Sequence, residues 1–255
     1  MSHQIILLIA FFAALAAGLI NSVAGGGTVV SFPVLVAMGI PPVTANITNT
    51  IGLCPGYFGG IFAQRNDFAS QKKRLYAILP ASITGGIIGG LLLINLEERS
   101  FKILVPYLIL TASLLLVVQN PLKRWLHLRA GKHSPSKAGK ISAFSLLFFA
   151  SVYGGYFGAG VSVIVIAMLG LIYDDSLTRL NVLKQAISFS INITAAVYFA
   201  FSGKVEWLIV LVMIIGSVTG GLAGGKLAGK VNPDILRWLV VIIGIIVSTI
   251  YFIHQ

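Results

Sequence analysis

Charged side chains are scarce in this sequence of 255 residues. Only 10% of the residues are charged, whereas 57% are hydrophobic and the mean hydropathy is +0.95. A soluble domain keeps about a quarter of its residues charged, so the composition predicts a polytopic membrane protein. The single cysteine, Cys54, excludes a disulfide framework or a thiolate metal site within one chain.

Acidic residues are absent from the middle of every apolar segment. Proton-coupled carriers usually keep a carboxylate or histidine relay in the membrane, and the four histidines also lie near the termini or in one polar stretch. The apolar segments contain no nucleophile–base pair or metal-ligand cluster. We therefore expect no enzyme, no catalytic residues, no metal and no cofactor.

Ten apolar segments follow one another along the chain. Eight of them, about 17 to 21 residues long, can cross a bilayer as helices, whereas two segments of 13 residues are too short to span unaided. A polar, basic stretch divides the set into two halves. The predicted organisation is a first transmembrane repeat at 1–119, a basic cytoplasmic loop at 120–140 and a second transmembrane repeat at 141–255.

An internal repeat supports this division. The motif Ser-x-Thr-Gly-Gly-x-x-Gly-Gly at 82–90 recurs 135 residues later at 217–225, and the same offset relates Asn46 to Asn181 and Lys102 to Arg237. We predict an all-α fold of two homologous repeats. Each has four full transmembrane helices and one short broken or re-entrant helix after a glycine-rich motif.

The distribution of basic residues favours inverted repeats. If the short segments cross the membrane, 15 of the Lys and Arg residues lie on the cytoplasmic side and three lie outside. If the short segments are re-entrant, the most asymmetric distribution is 11 on one side and seven on the other. The first arrangement follows the positive-inside rule, with both termini outside. The net charge of +11 is thereby explained by a multi-pass protein of the cell (inner) membrane, and no nucleic-acid partner is expected.

The paired glycines of the repeated motif form two small-xxx-small ridges on each helix. Such ridges let helix backbones approach closely in lipid, so we predict a packing role. If the ridges are exposed, they would also allow two copies of the chain to form a homodimer.

A run of three glycines, Gly25, Gly26 and Gly27, interrupts the first apolar stretch. Glycine is poor in helix interiors, and unwound backbone within a membrane is tolerated where it lines a protein-enclosed cavity. We expect the chain to unwind here, a short helix to begin at Thr28, and the free N–H groups to face an anion. The alternative is a glycine-rich packing contact between helices. The second repeat has Gly158, Ala159 and Gly160 at the equivalent place, followed by Val161 and Ser162.

A polar stripe follows one face of a later helix. Asn181, Lys184, Ser188 and Asn192 are spaced by three, four and four residues, and the first repeat has Asn46, Asn49, Leu53 and Tyr57 at the equivalent positions. Such a stripe is expected to face a cavity or bundle interior. Lys184 is the strongest candidate anion ligand, with a lysine that snorkels to the headgroups as the alternative. Gln185 flanks the stripe, and Thr48 either contacts the anion or is an ordinary helix-start or back-bonding hydroxyl.

These elements predict one site for a small anion near the midplane, where two short helices would direct their N-termini inward. The candidate binding residues share a position in a glycine motif or on a polar helix face. They are Gly25, Gly26, Gly27, Thr28, Asn46, Thr48, Asn49, Tyr57, Gly158, Ala159, Gly160, Ser162, Asn181, Lys184, Gln185, Ser188 and Asn192.

Several motifs resemble one family of membrane permeases. Gly-Gly-Gly-Thr at 25–28, Phe-Pro-Val-Leu at 32–35, Ala-Asn-Ile-Thr-Asn at 45–49, Leu-Asn-Val-Leu-Lys at 180–184 and Gly-Lys-Val-Glu-Trp at 203–207 look like the repeats of the TauE/SafE family. The resemblance implies a transporter of small sulfur-containing anions such as sulfite or sulfoacetate. Ala159 and Val161 depart from the fuller glycine run common in the family's second motif.

The inside-negative potential drives an anion outward by about 2.3 kcal/mol per charge per 100 mV. We therefore predict export by electrogenic facilitated diffusion, with one repeat rocking against the other. An anion channel, a carrier of another small anion such as a carboxylate, and sodium coupling through unwound carbonyls are the alternatives.

Overall fold

The computed structural model describes residues 2–129, 137–227, 230 and 232–253. Within these ranges the chain is helical and contains no strand. The helices, in chain order, are α1 (His3–Val23), α2 (Thr28–Ala37), α3 (Pro42–Ala63), α4 (Arg65–Ala69), α5 (Lys72–Ile94), α6 (Glu98–Arg129), α7 (Lys137–Tyr156), α8 (Val161–Ile172), α9 (Leu177–Ala200), α10 (Trp207–Leu227) and α11 (Pro233–Ile253).

The predicted all-helical membrane fold is confirmed. Six helices of the described chain (α1, α5, α6, α9, α10 and α11) are long and apolar enough to cross a bilayer. α3 has the length of a span but carries the polar stripe, and α2 and α8 are short. Large apolar side chains remain exposed on the outer helices, as on α11 at Ile242 and Ile246, where lipid can cover them.

Contacts at the glycines define the helix directions. On α10, Gly216 lies against Phe11 and Gly224 lies against Leu19, so α1 runs parallel to α10. α3 also runs parallel to α10, because Gly52 meets Met213 and Gly59 meets Leu222. α1, α3 and α10 therefore share one direction.

The helices α5, α7 and α9 share the opposite direction. Gly85 lies against Phe148 and Gly89 against Tyr156, so α5 and α7 are parallel, and α5 and α9 meet in the same sense. α9 is antiparallel to α3: Phe58 packs on Phe189, and the chain just after α9 returns to the start of α3, where the N–H of Glu206 donates to Thr48 Oγ1 at 3.2 Å.

The short helix α2 joins two parallel helices. Since α1 and α3 run in one direction, the chain between them has to return across the layer. A ten-residue helix is about 15 Å long, roughly half of the hydrocarbon thickness, so the unwound residues 24–27 and the turn at 38–41 supply the rest. α8 has the same place between the parallel helices α7 and α9.

The glycine ridges have the predicted packing role. A Cβ atom at Gly89 would lie 2.1 Å from the carbonyl oxygen of Val152, and one at Gly220 would lie 2.0 Å from that of Leu15. Both ridges on α5 face α7 and α9, and both on α10 face α1 and α3, so their glycines are buried within the chain. The ridges therefore pack within the chain rather than forming an exposed surface.

The polar stretch at 120–140 is partly helical. α6 continues to Arg129, about ten residues beyond the predicted end of its apolar segment, and α7 begins at Lys137. Residues 130–136 of this predicted loop lie outside the described residues.

An ionic cluster ties α5 to the connection between α8 and α9. Asp175 pairs with Arg74, lies 3.6 Å from Arg179 and accepts a hydrogen bond from Gln71 Nε2 at 3.1 Å. Burial raises the pKa of Asp175, but the hydrogen bonds from Arg74, Ser176 and Gln71 lower it by more, so the net shift is downward. The cluster holds the carboxylate in its charged form.

Candidate functional site

The first glycine motif is unwound, as predicted. Gly25 and Gly26 have φ values of +87° and +90°, which L side chains rarely adopt, and α2 begins at Thr28. Two side chains hold this loop: Asn21 Oδ1 accepts the N–H of Gly27 at 2.8 Å, and Gln119 Nε2 donates to the carbonyl of Ala24 at 2.9 Å.

The N–H groups of Gly26 and Thr28 have no hydrogen-bond acceptor among the described residues. One of the donors expected to face an anion is thus already used by Asn21, whereas these two are available to a ligand.

The second motif is also unwound. Gly158 and Gly160 have φ values of +78° and +74°, and α8 begins directly afterwards at Val161. The hydroxyl of Tyr153 donates to the carbonyl of Ala159 at 2.7 Å and fixes this loop to α7. Both glycine motifs therefore end one helix and begin a short one.

The two loops touch each other. A Cβ atom built on Gly25 would lie 2.8 Å from the Cβ of Ser162, in the first turn of α8. α6 packs behind both loops, with Leu116 against Gly26 and Ala112 against Gly160. The loop before α2 therefore lies against the beginning of α8 in the interior, where Ser162 is only 2% exposed.

Equivalent asparagines join each repeat to the other. Asn46 Nδ2, on α3, donates to the carbonyl of Tyr156 at the end of α7, at 2.8 Å. Asn181 Nδ2, on α9, donates to the carbonyl of Ser22 near the end of α1, at 3.5 Å. Each amide therefore holds the helix end that precedes the other repeat's glycine loop.

The stripe on α9 is buried. Lys184 is 1% exposed and Gln185 and Ser188 are 0% exposed, so Lys184 does not reach a surface at which it could snorkel. Asn192 is also buried; its Nδ2 donates to the carbonyl of Ser188 at 2.8 Å. Neither amide atom of Gln185 nor the hydroxyl of Ser188 has a hydrogen-bond partner within the described protein. Buried polar atoms of this kind commonly await a ligand or water.

The predicted residues form two groups rather than one cluster. Gln185 lies against Gly60 and close to Ser22, next to the first loop. Asn49 is eleven residues before Gly60 on α3. At a rise of 1.5 Å per residue, Asn49 therefore lies about 16 Å along the helix axis from the level of Gly60 and Gln185. One group, at the level of the first loop, consists of Asn181, Lys184 and Gln185 on α9. The other, at the level of the second loop, consists of Asn46 and Asn49 on α3.

The remaining candidates have varied surroundings. Thr48 is fully buried and holds the N–H of Glu206, which is a structural contact. Tyr57 is buried on α3, and Asn192 Oδ1 would lie 3.9 Å from a Cβ atom at Gly158. Thr28 begins α2 and is 7% exposed.

Four polar residues at this site were not predicted. Asn21 and Gln119 hold the first loop, Ser22 accepts from Asn181, and Gln64, one turn beyond Gly60, has a buried amide without a hydrogen-bond partner among the described residues. The polar pair Asn21–Ser22, separated from the glycines by two residues, was the available signal, whereas nothing near Gln119 in the sequence indicates its contact with Ala24.

A separate groove lies on the outer face of α11. It has a volume of about 510 Å³ and an apolar lining, formed by Asp234, Ile235, Trp238, Leu239, Ile242 and Ile243. None of these residues belongs to either glycine loop.

Comparison with known proteins gives the family. The family model described as "Sulfite exporter TauE/SafE" matches residues 10–251. A "Probable membrane transporter protein" of Haemophilus influenzae is 25% identical over 245 residues, which cover 95% of this chain and 93% of that protein. The "Probable membrane transporter protein YfcA" of Escherichia coli strain K12 is 24% identical over 252 residues, covering 97% and 90%. A "Probable membrane transporter protein" of a Sinorhizobium species is 27% identical over 249 residues, covering 92% and 88%. With its membrane-spanning helices and its two glycine loops, the chain belongs to the TauE/SafE family of membrane transporters.

Proposed function

We propose that this protein exports a small sulfur-containing anion, such as sulfite, sulfoacetate or a related organosulfonate, through the first-loop group of residues. The burial of Lys184 in α9 carries the proposal, because a buried ammonium in a membrane interior is costly and marks a pathway for charge. The N–H groups of Gly26 and Thr28 at the start of α2 supply further donors suited to oxyanion oxygens. The names of the relatives support a transporter rather than an enzyme.

We also infer that the two halves are inverted repeats and that α2 and α8 cross the membrane as broken helices. The helix directions support this inference: α1 and α7 hold equivalent places in the two repeats but run in opposite directions, and so do α3 and α9. An inverted pair can expose one central site alternately to the two sides. The complete burial of Gln185 and Ser188 fits an occluded conformation of such a carrier.

The membrane potential is the proposed driving force for outward movement of the anion. The test is uptake of labelled sulfite, sulfoacetate and a simple carboxylate into proteoliposomes under an imposed potential. Saturable flux of a sulfur oxyanion that reverses with the potential supports the proposal. Preference for the carboxylate assigns another cargo, and unitary currents identify a channel.

A further inference from the structure

We propose that Asn46 and Asn49, together with the carbonyl end of α7, form a binding site for Na⁺. This cation would be a second ligand, distinct from the anion. It would bind near the second glycine loop, whereas Lys184 lies at the level of the first.

Two amide oxygens near the start of α3 are buried without a hydrogen-bond donor among the described residues. Asn46 is 0% exposed and Asn49 is 1% exposed, and the Oδ1 atom of each has no hydrogen-bond partner in the described protein. The orientation of Asn46 is fixed, because its Nδ2 donates to the carbonyl of Tyr156 at 2.8 Å. Its oxygen is therefore an acceptor that needs either a proton donor or a cation.

The two asparagines lie on one face of α3. Residues separated by three positions are neighbours on a helix surface, about 5 to 6 Å apart at Cβ. A small cation between Asn46 and Asn49 could thus contact both amide oxygens. Hard cations prefer oxygen ligands, and an uncharged set of amide and carbonyl oxygens suits a monovalent ion better than a divalent one.

The backbone at this place is electronegative. α7 ends at Tyr156, so the last carbonyl groups of that helix and the negative end of its dipole point toward Asn46. The carbonyl of Tyr156 has a second lone pair beside the one that accepts from Asn46. Glu98, at the start of α6, adds a carboxylate near the beginning of α3: its Oε1 accepts the N–H of Val43, one turn before Asn46, at 2.7 Å.

The equivalent position in the other repeat carries its own cation. The 135-residue offset that relates Asn46 to Asn181 relates Asn49 to Lys184. In the second repeat, Lys184 follows by one turn the asparagine that holds the end of α1; in the first repeat, Asn49 follows by one turn the asparagine that holds the end of α7. A bound Na⁺ would give the two pseudo-equivalent places the same charge.

The binding test uses the purified full-length protein without any anionic substrate, so its result does not depend on the proposed anion transport. Saturable binding of labelled Na⁺ is measured in a choline background, with K⁺ as a competitor. We expect Na⁺ to bind in preference to K⁺, and Asn46→Ala and Asn49→Ala to weaken it by about tenfold or more. The matched control is Asn181→Ala, which removes the equivalent amide at the other loop and is expected to leave Na⁺ binding unchanged.

A second variant tests the same site if the alanine variants are poorly folded. N49K places an ammonium where Lys184 lies in the other repeat, and we expect it to abolish Na⁺ binding while the protein elutes as a folded species. Absence of saturable Na⁺ binding to the wild type, or equal loss in Asn181→Ala and Asn46→Ala, would overturn the proposal.

Discussion

Gly25 lies directly against Ser162, so the unwound loop of the first repeat touches the first turn of the short helix of the second. A Cβ atom at Gly25 would come within 2.8 Å of the Ser162 Cβ. This contact joins the two glycine motifs, which are 133 residues apart in the sequence, and places the loop before α2 against the beginning of α8. A movement of one repeat against the other would change this contact.

Gly25→Ala is expected to abolish transport and to lower stability. The substitution meets Ser162 and also forces an L side chain to φ +87°, a conformation that costs about 1–2 kcal/mol by itself. Gly39→Ala is the matched control, because Gly39 has φ +92° but nothing within 4 Å of its Cβ position. Thermal unfolding and flux measure both effects. The close contact would be disproved as the cause if Gly39→Ala lost as much flux as Gly25→Ala.

Gln185→Met is expected to reduce transport while raising stability. Both amide atoms of Gln185 are buried without protein partners, and leaving such atoms unpaired costs about 1–3 kcal/mol, which a methionine of similar volume avoids. The control is Gln71→Met. Gln71 is equally buried but bonds to Asp175 and Arg74, so its loss is expected to lower stability. Normal flux in Gln185→Met would remove this amide from the binding site.

Pro41→Cys is expected to be labelled from the same side of the membrane as Ser2→Cys. Pro41 is exposed between α2 and α3, and a crossing α2 returns the chain to the side where α1 begins. An impermeant maleimide applied to intact cells is the measurement, with Ser70→Cys as the opposite-side control. The native Cys54 is 2% exposed and should add little background. If Pro41→Cys were labelled only under conditions in which Ser70→Cys is also labelled, the result would contradict inverted repeats.

Asp175→Asn is expected to destabilise the protein at neutral pH by about 1 kcal/mol, because it breaks the pairs with Arg74 and Arg179. The folded-state pKa of Asp175 is lowered, so its stabilisation is present above the ordinary value of 3.8 and is lost as the pH falls through the folded pKa. The difference in thermal stability between wild type and variant should be constant from pH 7 to pH 5. A difference that already disappears at pH 5 would show that the ionised pair is not its origin. Glu97→Gln, at an exposed position, serves as the control.

The sequence predicts the fold better than it predicts the grouping within the site. The starts of α2 and α8 could be placed because glycine runs and short apolar segments are local signals, and α2 does begin at Thr28. The separation of Asn49 from Gln185 could not be predicted, because it depends on the antiparallel register of α3 and α9, seen in the contact of Phe58 with Phe189. Helical spacing shows which residues share a face but not which level of a neighbouring helix they meet.

Long-range contacts were missed for the same reason. Gln119 bonds to the carbonyl of Ala24 across 95 residues, and no local pattern marks a glutamine near the end of an apolar segment as a support for a distant loop. The internal repeat was more informative, because it related Asn46 to Asn181, and both amides hold the helix end before the opposite loop.

We propose that the buried Lys184 binds the anion that crosses the membrane. The most direct test is potential-driven flux of labelled sulfite and sulfoacetate in proteoliposomes for Lys184→Gln, with Lys226→Gln as a control that removes an exposed lysine of α10. We expect Lys184→Gln to lose nearly all flux of the transported anion and Lys226→Gln to keep it. Wild-type flux in folded Lys184→Gln would contradict this role of Lys184 and leave the glycine loops alone to bind the anion.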